Sequence, residues 1–215
     1  MDKKLAALIS QMKLEEAEKM ASAMVADGVP AMEIYQQVME GLQEVGSRYE
    51  NTEYFIADLI VSGMLAKEIF SLVDLYQDDE LAATKGTIVI GTILEDIHDI
   101  GKDLMIDSLR AQGIHVIDLG VDVKIEKFID AVRQYNPDII AVSCIMTSSL
   151  GHLHELAMKL HEEELLTDRA LIIGGAVANR KYLKIPYVTY MTNSMFEGVD
   201  FCLRYLSEKK KGNKQ

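Results

Sequence analysis

Only two cysteines occur in 215 residues, Cys144 and Cys202. Each lies inside an apolar run, so the sequence offers neither a disulfide framework nor a zinc cluster. Cys144 reads first as a small buried residue and only second as a reactive thiol. Positive charge is also scarce: 22 Lys and Arg stand against 34 Asp and Glu, a formal net charge of −12. That is the opposite of the basic footprint by which nucleic acid is bound. The lysines that do cluster, Lys209, Lys210, Lys211 and Lys214, share the end of the chain with Gly212 and Asn213 and read as a frayed, solvated tail. No apolar run approaches the ~20 residues that span a bilayer. Met1-Asp2-Lys3-Lys4 leads into an amphipathic pattern rather than the apolar core of a signal peptide. The expectation is a chain with no membrane segment, in a reducing cytoplasm. No internal repeat is visible.

What is present is ordinary globular material, 49% hydrophobic and 26% charged, arranged in two unlike parts. Residues 3–76 read as helical. Leu5, Leu8, Ile9 and Met12 form one apolar face; Ala17, Met20, Ala21, Met24 and Val25 form the next. Gly28 and Pro30 mark a stop and a start. Tyr35, Val38, Leu42, Val45 and Tyr49 then repeat as a seam, and Ile56, Leu59, Ile60, Gly63, Lys67 and Phe70 make a fourth face. Four helices with short joins imply a small antiparallel bundle, its gaps filled by Met12, Met20, Met24, Met32, Met39 and Met64. The acidic Gln77-Asp78-Asp79-Glu80 reads as a linker, giving domains 1–80 and 81–215.

After it, strands and helices alternate. Strands are expected at 87–93, 114–119, 138–143, 170–174 and 187–190, with helices at 100–112, 124–134, 149–166, 176–183 and 194–208. Gly113 and Pro137 punctuate the joins. Such alternation means an α/β fold with a parallel sheet covered on both faces. Five strands suggest the flavodoxin-like (Rossmann-like) order 2-1-3-4-5, whose crevice opens between the first and third strands.

Three motifs fall at the carboxyl ends of those strands, where ligands bind in such sheets. The first is Gly91-Thr92-Ile93-Leu94-Glu95-Asp96-Ile97-His98-Asp99-Ile100-Gly101-Lys102, which places Asp96, His98 and Gly101 on a strand-to-helix loop. A histidine there can ligate a metal through one ring nitrogen while a carboxylate on the other fixes its tautomer. Gly101 removes a side chain where something bulky approaches. The second is Ser143-Cys144-Ile145 and the third Gly174-Gly175; forty-one residues (102–142) separate the first from the second, and twenty-eight (146–173) the second from the third. Asp99 reads as a helix-start carboxylate and Lys102 as its solvated neighbour. His152, His154 and His161 read as surface residues, since positions two apart face different sides of a helix.

The three motifs, in this order and spacing, resemble the cobalamin-binding signature Asp-x-His-x-x-Gly, Ser-x-Leu, Gly-Gly, with Ile145 standing in place of Leu. The helical bundle ahead of them is similar to the corrinoid proteins of methyltransferase systems and to the cobalamin module of methionine synthase. The resemblance implies His98 as the lower axial ligand of cobalt, the cofactor's own dimethylbenzimidazole being displaced. It also implies an Asp96–Ser143 relay behind the imidazole, and a nucleotide tail buried between sheet and helix along Gly174, Gly175 and Ala176. Asp99, Ile100, Gly101, Ile145, Thr147 and Ser148 would line the corrin and its tail. Tyr54 and Phe55 match the family's cap segment over the methyl-bearing face. Near the last strand the family has small and acidic residues; here stands Tyr190-Met191-Thr192-Asn193-Ser194, in which Asn193 is the available hydrogen-bonding group.

The implied activity is that of a methyl carrier, not catalytic alone. It would shuttle a methyl group between a substrate-specific methyltransferase and an acceptor methyltransferase, with a reductive activator as a further partner. Methanol, a methylamine or an aryl methyl ether would be the donor. The competing reading is a cobalamin sensor or storage protein. A cofactor-free response-regulator-like domain is the remaining alternative; it would want an Asp cluster with a Lys at the sheet edge.

Overall fold

The computed structural model describes residues 4–73, 85–179 and 183–212; the expected linker Gln77 to Glu80 lies outside them. The chain divides into two compact units, residues 1–79 and 80–215. None of the described helices is long and apolar enough to cross a membrane.

The first unit holds α1 (Lys4–Ser10), α2 (Leu14–Ala26), α3 (Ala31–Glu50) and α4 (Ile56–Leu72). Its core is built from Leu5, Ile9, Ala17, Ala21, Ile34, Val38, Val45, Ala66 and Ile69, all buried. Helices α1 and α3 cross at Gly41, where a Cβ would stand 2.7 Å from Ile9 Cβ, so only glycine lets the two backbones approach this closely. The Gln37 side chain accepts the orphan Leu5 N–H of α1 at 3.2 Å. At the other end of α1 the Tyr54 hydroxyl donates to the Ser10 carbonyl at 2.7 Å and accepts from Arg48 at 3.1 Å.

Helix α4 differs from its expected seam. It buries Ser62, Gly63, Leu65, Ala66, Ile69 and Phe70, while Ile56, Ile60 and Met64 are exposed. The helix is apolar nearly all round, so hydrophobic spacing alone does not say which face meets α3. Met64 and Met32 are likewise exposed rather than gap-filling.

The second unit is a five-stranded parallel sheet in the order β2-β1-β3-β4-β5, as expected. Its strands are β1 (Thr87–Thr92), β2 (His115–Asp118), β3 (Ile139–Ser143), β4 (Ala170–Gly174) and β5 (Tyr190–Thr192). Helices α6 (Ile125–Tyr135) and α7 (Leu150–Glu162) cover one face, and α5 (Ile100–Ala111) and α8 (Met195–Gly212) the other. Central strands buried on both faces explain the uninterrupted runs Ile88-Val89-Ile90 and Ile139-Ile140-Ala141-Val142. Even-numbered residues of β1 and odd-numbered residues of β3 face α5 and α8.

Four boundaries differ from expectation. Helix α8 runs on to Gly212 rather than ending at 208, so Lys209, Lys210 and Lys211 form its last turn and not a frayed tail, and the Lys209 ammonium reaches Asp138 at 2.7 Å. Helix α7 ends at Glu162 because Glu164 takes a left-handed φ of 57°. The expected helix 176–183 is a single 3-10 turn at Ala176–Asn179, with residues 180–182 outside the described set. The fifth strand begins at Tyr190 rather than 187, because Pro186 and Tyr187 form a turn with Tyr187 at φ 61°.

The register aligns Thr92, Ser143, Gly174 and Thr192 across four strands at the carboxyl edge. Partners in a parallel ladder share a face, so this is one row of small and hydroxyl-bearing residues on the α5/α8 side. Above that row lies the loop from β1 to α5.

Candidate functional site

The β1–α5 loop folds back on itself. Thr92, fully buried, donates from its hydroxyl to the His98 carbonyl at 3.0 Å. Asp96 Oδ1 accepts the His98 backbone N–H at 3.1 Å and the His98 Nδ1–H at 2.7 Å. The second bond fixes the ring's rotation and puts the neutral proton on Nδ1, leaving Nε2 as the lone-pair donor. The Asp96 side chain is fully buried, whereas that of His98 is 48% exposed. The pair therefore presents one basic nitrogen outward with its counter-charge sealed behind it.

Burial works to raise the Asp96 pKa, but the Met146 and Ile145 N–H groups and the His98 imidazole overcome it and hold the carboxyl below its ordinary value. The two N–H groups reach Asp96 Oδ2 at 3.0 and 2.6 Å. They replace the Ser143 hydroxyl expected behind Asp96, which is not among that carboxylate's donors in the described residues. The physical reason is strand alternation. Ser143 sits on the α5/α8 face with Ile139 and Ala141, whereas Asp96 is met two residues further on, where the backbone leaves β3 with free N–H groups.

The same segment carries a residue that spacing did not single out. Ser149, at the start of α7, is fully buried, and its hydroxyl has no hydrogen-bond partner among the described residues. A serine two residues after Thr147 carried no signal of its own, because helix starts are rich in serine.

The remaining expected residues fall as follows. Asp99 occupies the N-cap position of α5 without a side-chain cap, and Ile100 and Gly101 open the helix. Ile97, Ile145 and Met146 are exposed around the loop, and Thr147 and Ser148 are exposed beside them. Gly174 lies in the row at the strand ends, while Ala176 and Asn193 are exposed on the loops that follow β4 and β5. Tyr54 and Phe55 belong to the helical unit. Tyr54 is used by α1, and Phe55 is 74% exposed at the N-cap of α4, so it does not plug the bundle's core.

Two residues depart from their expected character. Lys102 is buried, not solvated, its ammonium 2.7 Å from Asp103 and 2.9 and 3.0 Å from the Asp118 carboxylate. His152 reaches the Glu95 carboxylate at 3.5 Å rather than standing free on the surface. Cys144 is not an activated thiol: burial first, and then the Asp96 charge, push it up to about 12.

The glycines separate by cause. Gly175, at φ 101°, would place a Cβ 2.3 Å from the Cys144 carbonyl oxygen, so the chain itself demands glycine there. Gly101 has nothing within 4 Å of its would-be Cβ, and Gly174 nothing nearer than the Thr192 carbonyl at 3.9 Å. Neither is required by a contact within the protein, and both lie open at the carboxyl edge. Among the described residues no group of three His, Cys, Asp or Glu side chains is placed to hold a bare metal ion. A macrocyclic cobalt brings its own equatorial nitrogens and asks for one axial donor. The oriented, half-exposed His98 with open space at Gly101 fits that requirement.

Comparison with known proteins agrees. A B12 binding domain family matches residues 86–190, and a further B12 binding domain family matches residues 1–73. Trimethylamine corrinoid protein 1 of Methanosarcina mazei is 32% identical over 165 residues, which cover 75% of this chain and 76% of that protein. The chain belongs to the corrinoid protein family. Cobalamin is accordingly its cofactor, and the fold agrees over nearly the whole length. A cobalamin-binding protein from Desulfitobacterium hafniense superposes with a TM-score of 0.63 at 26% identity, over 95% of this chain and 98% of that one. The monomethylamine corrinoid protein of Methanosarcina barkeri gives 0.61 at 26% identity, over 94% and 96%.

Proposed function

We propose that this corrinoid protein is a methyl carrier that holds cobalamin with His98 as lower axial ligand, the cofactor's own base displaced. Its partners on this reading are a substrate-specific methyltransferase, an acceptor methyltransferase and a reductive activator. The observation that carries the proposal is the His98–Asp96 bond of 2.7 Å, which leaves Nε2 exposed while sealing the carboxylate. Bound cobalamin supplies the cobalt centre that takes up and gives up the methyl group.

The protein supplies what surrounds that exchange. Asp96 keeps the proton on Nδ1, so Nε2 faces the ligand position with its lone pair. The Asp96 carboxylate, sealed behind the ring, accepts the Nδ1 proton's hydrogen bond and would be the counter-ion of charge drawn onto the imidazole. The N–H groups of Ile145 and Met146 keep that proton on the ring rather than on Asp96, because they stabilise the anionic carboxylate. Ser143 and Gly174, half-buried at the strand ends, are the floor along which a nucleotide tail would lie, with a hydroxyl group and a bare backbone to meet it.

The test is spectroscopic. The purified protein, incubated with aquacobalamin and gel-filtered, should retain one equivalent with the base-off absorption spectrum. Reduced to cobalt(II), it should show nitrogen superhyperfine splitting that His98→Ala abolishes. A retained cofactor whose cobalt(II) spectrum is unchanged by His98→Ala would remove His98 from the ligand position.

A further inference from the structure

The β1–α5 loop is pinned from one direction by Ile145 and Met146. Five further anchors converge on one short stretch that the cobalamin signature leaves unassigned, Asp118 to Val123, running from the end of β2 toward α6. Thr92 N–H donates to the Gly120 carbonyl at 2.9 Å, and the Thr92 carbonyl accepts from Val123 N–H at 3.0 Å. Glu95 N–H donates to Asp122 Oδ1 at 2.8 Å, and the Asp96 carbonyl accepts from Asp122 N–H at 3.0 Å. Beyond His98, Lys102 closes the circuit on the Asp118 carboxylate at 2.9 and 3.0 Å, and Asp118 Oδ1 in turn accepts Gly120 N–H at 2.9 Å. The chain is thus held immediately before Asp96, at Asp96 itself, and one helical turn after His98.

Two features of this circuit are costly unless it serves a purpose. Lys102 is a buried cation, its side chain 2% exposed, and an ammonium out of water is tolerated only when well paired. Glu95 and Asp122 both adopt left-handed backbones, at φ 65° and 53°, where a non-glycine residue is strained by of order 1 kcal/mol or more. The strained pair is maintained by reciprocal bonds between the two loops. An apolar residue at 102 and glycines at 95 and 122 would satisfy packing more simply.

We propose that Asp118–Val123, with Lys102, is the positioning element of the axial histidine. Asp96 sets the rotation of the His98 ring, and this clamp sets where the ring's backbone stands and the direction in which Nε2 points. Lys102, Asp118 and Asp122 are positioning residues that act through the loop. The inference rests on His98 being the axial ligand.

The experiment loads the full-length protein with cobalamin, reduces it to cobalt(II), and measures the ratio of histidine-on to histidine-off signal by electron spin resonance. Melting temperatures of the unloaded variants are taken alongside. Lys102→Met should lower the on/off ratio about tenfold, the scale on which groups behind a metal ligand act. Asp118→Asn, alone or combined with Lys102→Met, should give the same loss, because residues acting as one unit are not additive. Asp122→Gly is the decisive variant: it relieves the left-handed strain, so the melting temperature should hold or rise, yet it removes the acceptor for Glu95 N–H. A lower on/off ratio in a protein of undiminished stability is a positioning effect and not a folding one. Wild-type ratios in Lys102→Met and Asp122→Gly, with His98→Ala still abolishing the splitting, overturn the clamp alone. Splitting that survives His98→Ala overturns the ligand assignment instead. If Lys102→Met does not fold, Asp122→Gly decides by itself.

Discussion

Replacing Asp96 by asparagine changes one atom and reverses one hydrogen-bonding role. The carboxylate accepts four bonds, two on Oδ1 from His98 and two on Oδ2 from Ile145 and Met146. An asparagine has one acceptor oxygen and an NH2 that only donates. Turned with its NH2 toward β3, it would leave two backbone N–H groups facing a donor, each costing about 1–3 kcal/mol. Its oxygen should therefore face Ile145 and Met146, and its NH2 should face His98 Nδ1. The ring must then accept at Nδ1 and carry its proton on Nε2, the nitrogen needed by the metal. The His98 backbone N–H, which donates to Oδ1 at 3.1 Å, would then face that NH2, so apo-protein stability should fall by about 1–3 kcal/mol at neutral pH, the cost of one backbone donor left unpaired. Axial ligation should fall further, by about 10–100-fold in the histidine-on/off ratio.

The two effects are read separately, by thermal melting without cofactor and by cobalt(II) superhyperfine splitting with it. The pH dependence supplies a third check. Asp96 is held below its ordinary pKa in the folded protein. Its contribution is therefore fully present above the unfolded carboxyl value near 4 and is lost as pH falls through the lower folded one. Asp96→Asn should remove that share of the acid sensitivity. A variant that keeps the wild-type on/off ratio would refute the tautomer argument, whatever its stability.

Other perturbations separate the parts of the molecule. Gly175→Ala should destabilise the apo protein severely, because its Cβ would lie 2.3 Å from a backbone oxygen at φ 101°. Gly101→Ala, in open space near the start of a helix, should be neutral or stabilising by up to about 1 kcal/mol while weakening cobalamin retention in gel filtration; equal retention would show that the space at Gly101 is not used. Cys144 should resist alkylation at neutral pH in the native protein and react once unfolded, its thiol being pushed up to about 12; mass spectrometry after iodoacetamide decides. Tyr54→Phe should cost the helical unit about 0.5–1.5 kcal/mol by thermal melting, from the hydroxyl bond to the Ser10 carbonyl at 2.7 Å. Phe55→Ala, at an exposed position, should cost it little.

Much of the fold was legible because it rests on local regularities. Continuous apolar runs such as Ile139 to Val142, spaced by helical patterns, leave little choice but a parallel sheet covered on both faces. The short separation of Asp96 and His98 on one loop likewise brings the carboxylate and the imidazole together without help from elsewhere. Boundaries were less legible where a left-handed residue ended an element. Glu164 and Tyr187 carry no compositional mark that distinguishes them from continuing residues, unlike Gly28 or Gly113.

The sequence by itself determined the strand order, the loop on which His98 stands, and the family of the chain, because periodicity, motif order and spacing are properties of the chain alone. The tertiary structure alone decided what surrounds that histidine. It turned the Asp96 carboxylate to the N–H groups of Ile145 and Met146 rather than to Ser143, buried Lys102 against Asp118, and left the Ser149 hydroxyl without a partner among the described residues. Backbone donors have no residue type, and a lysine's spacing does not say whether its ammonium meets water or a carboxylate. Both depend on which distant segment the sheet brings alongside, and that is settled only when the strands are in register.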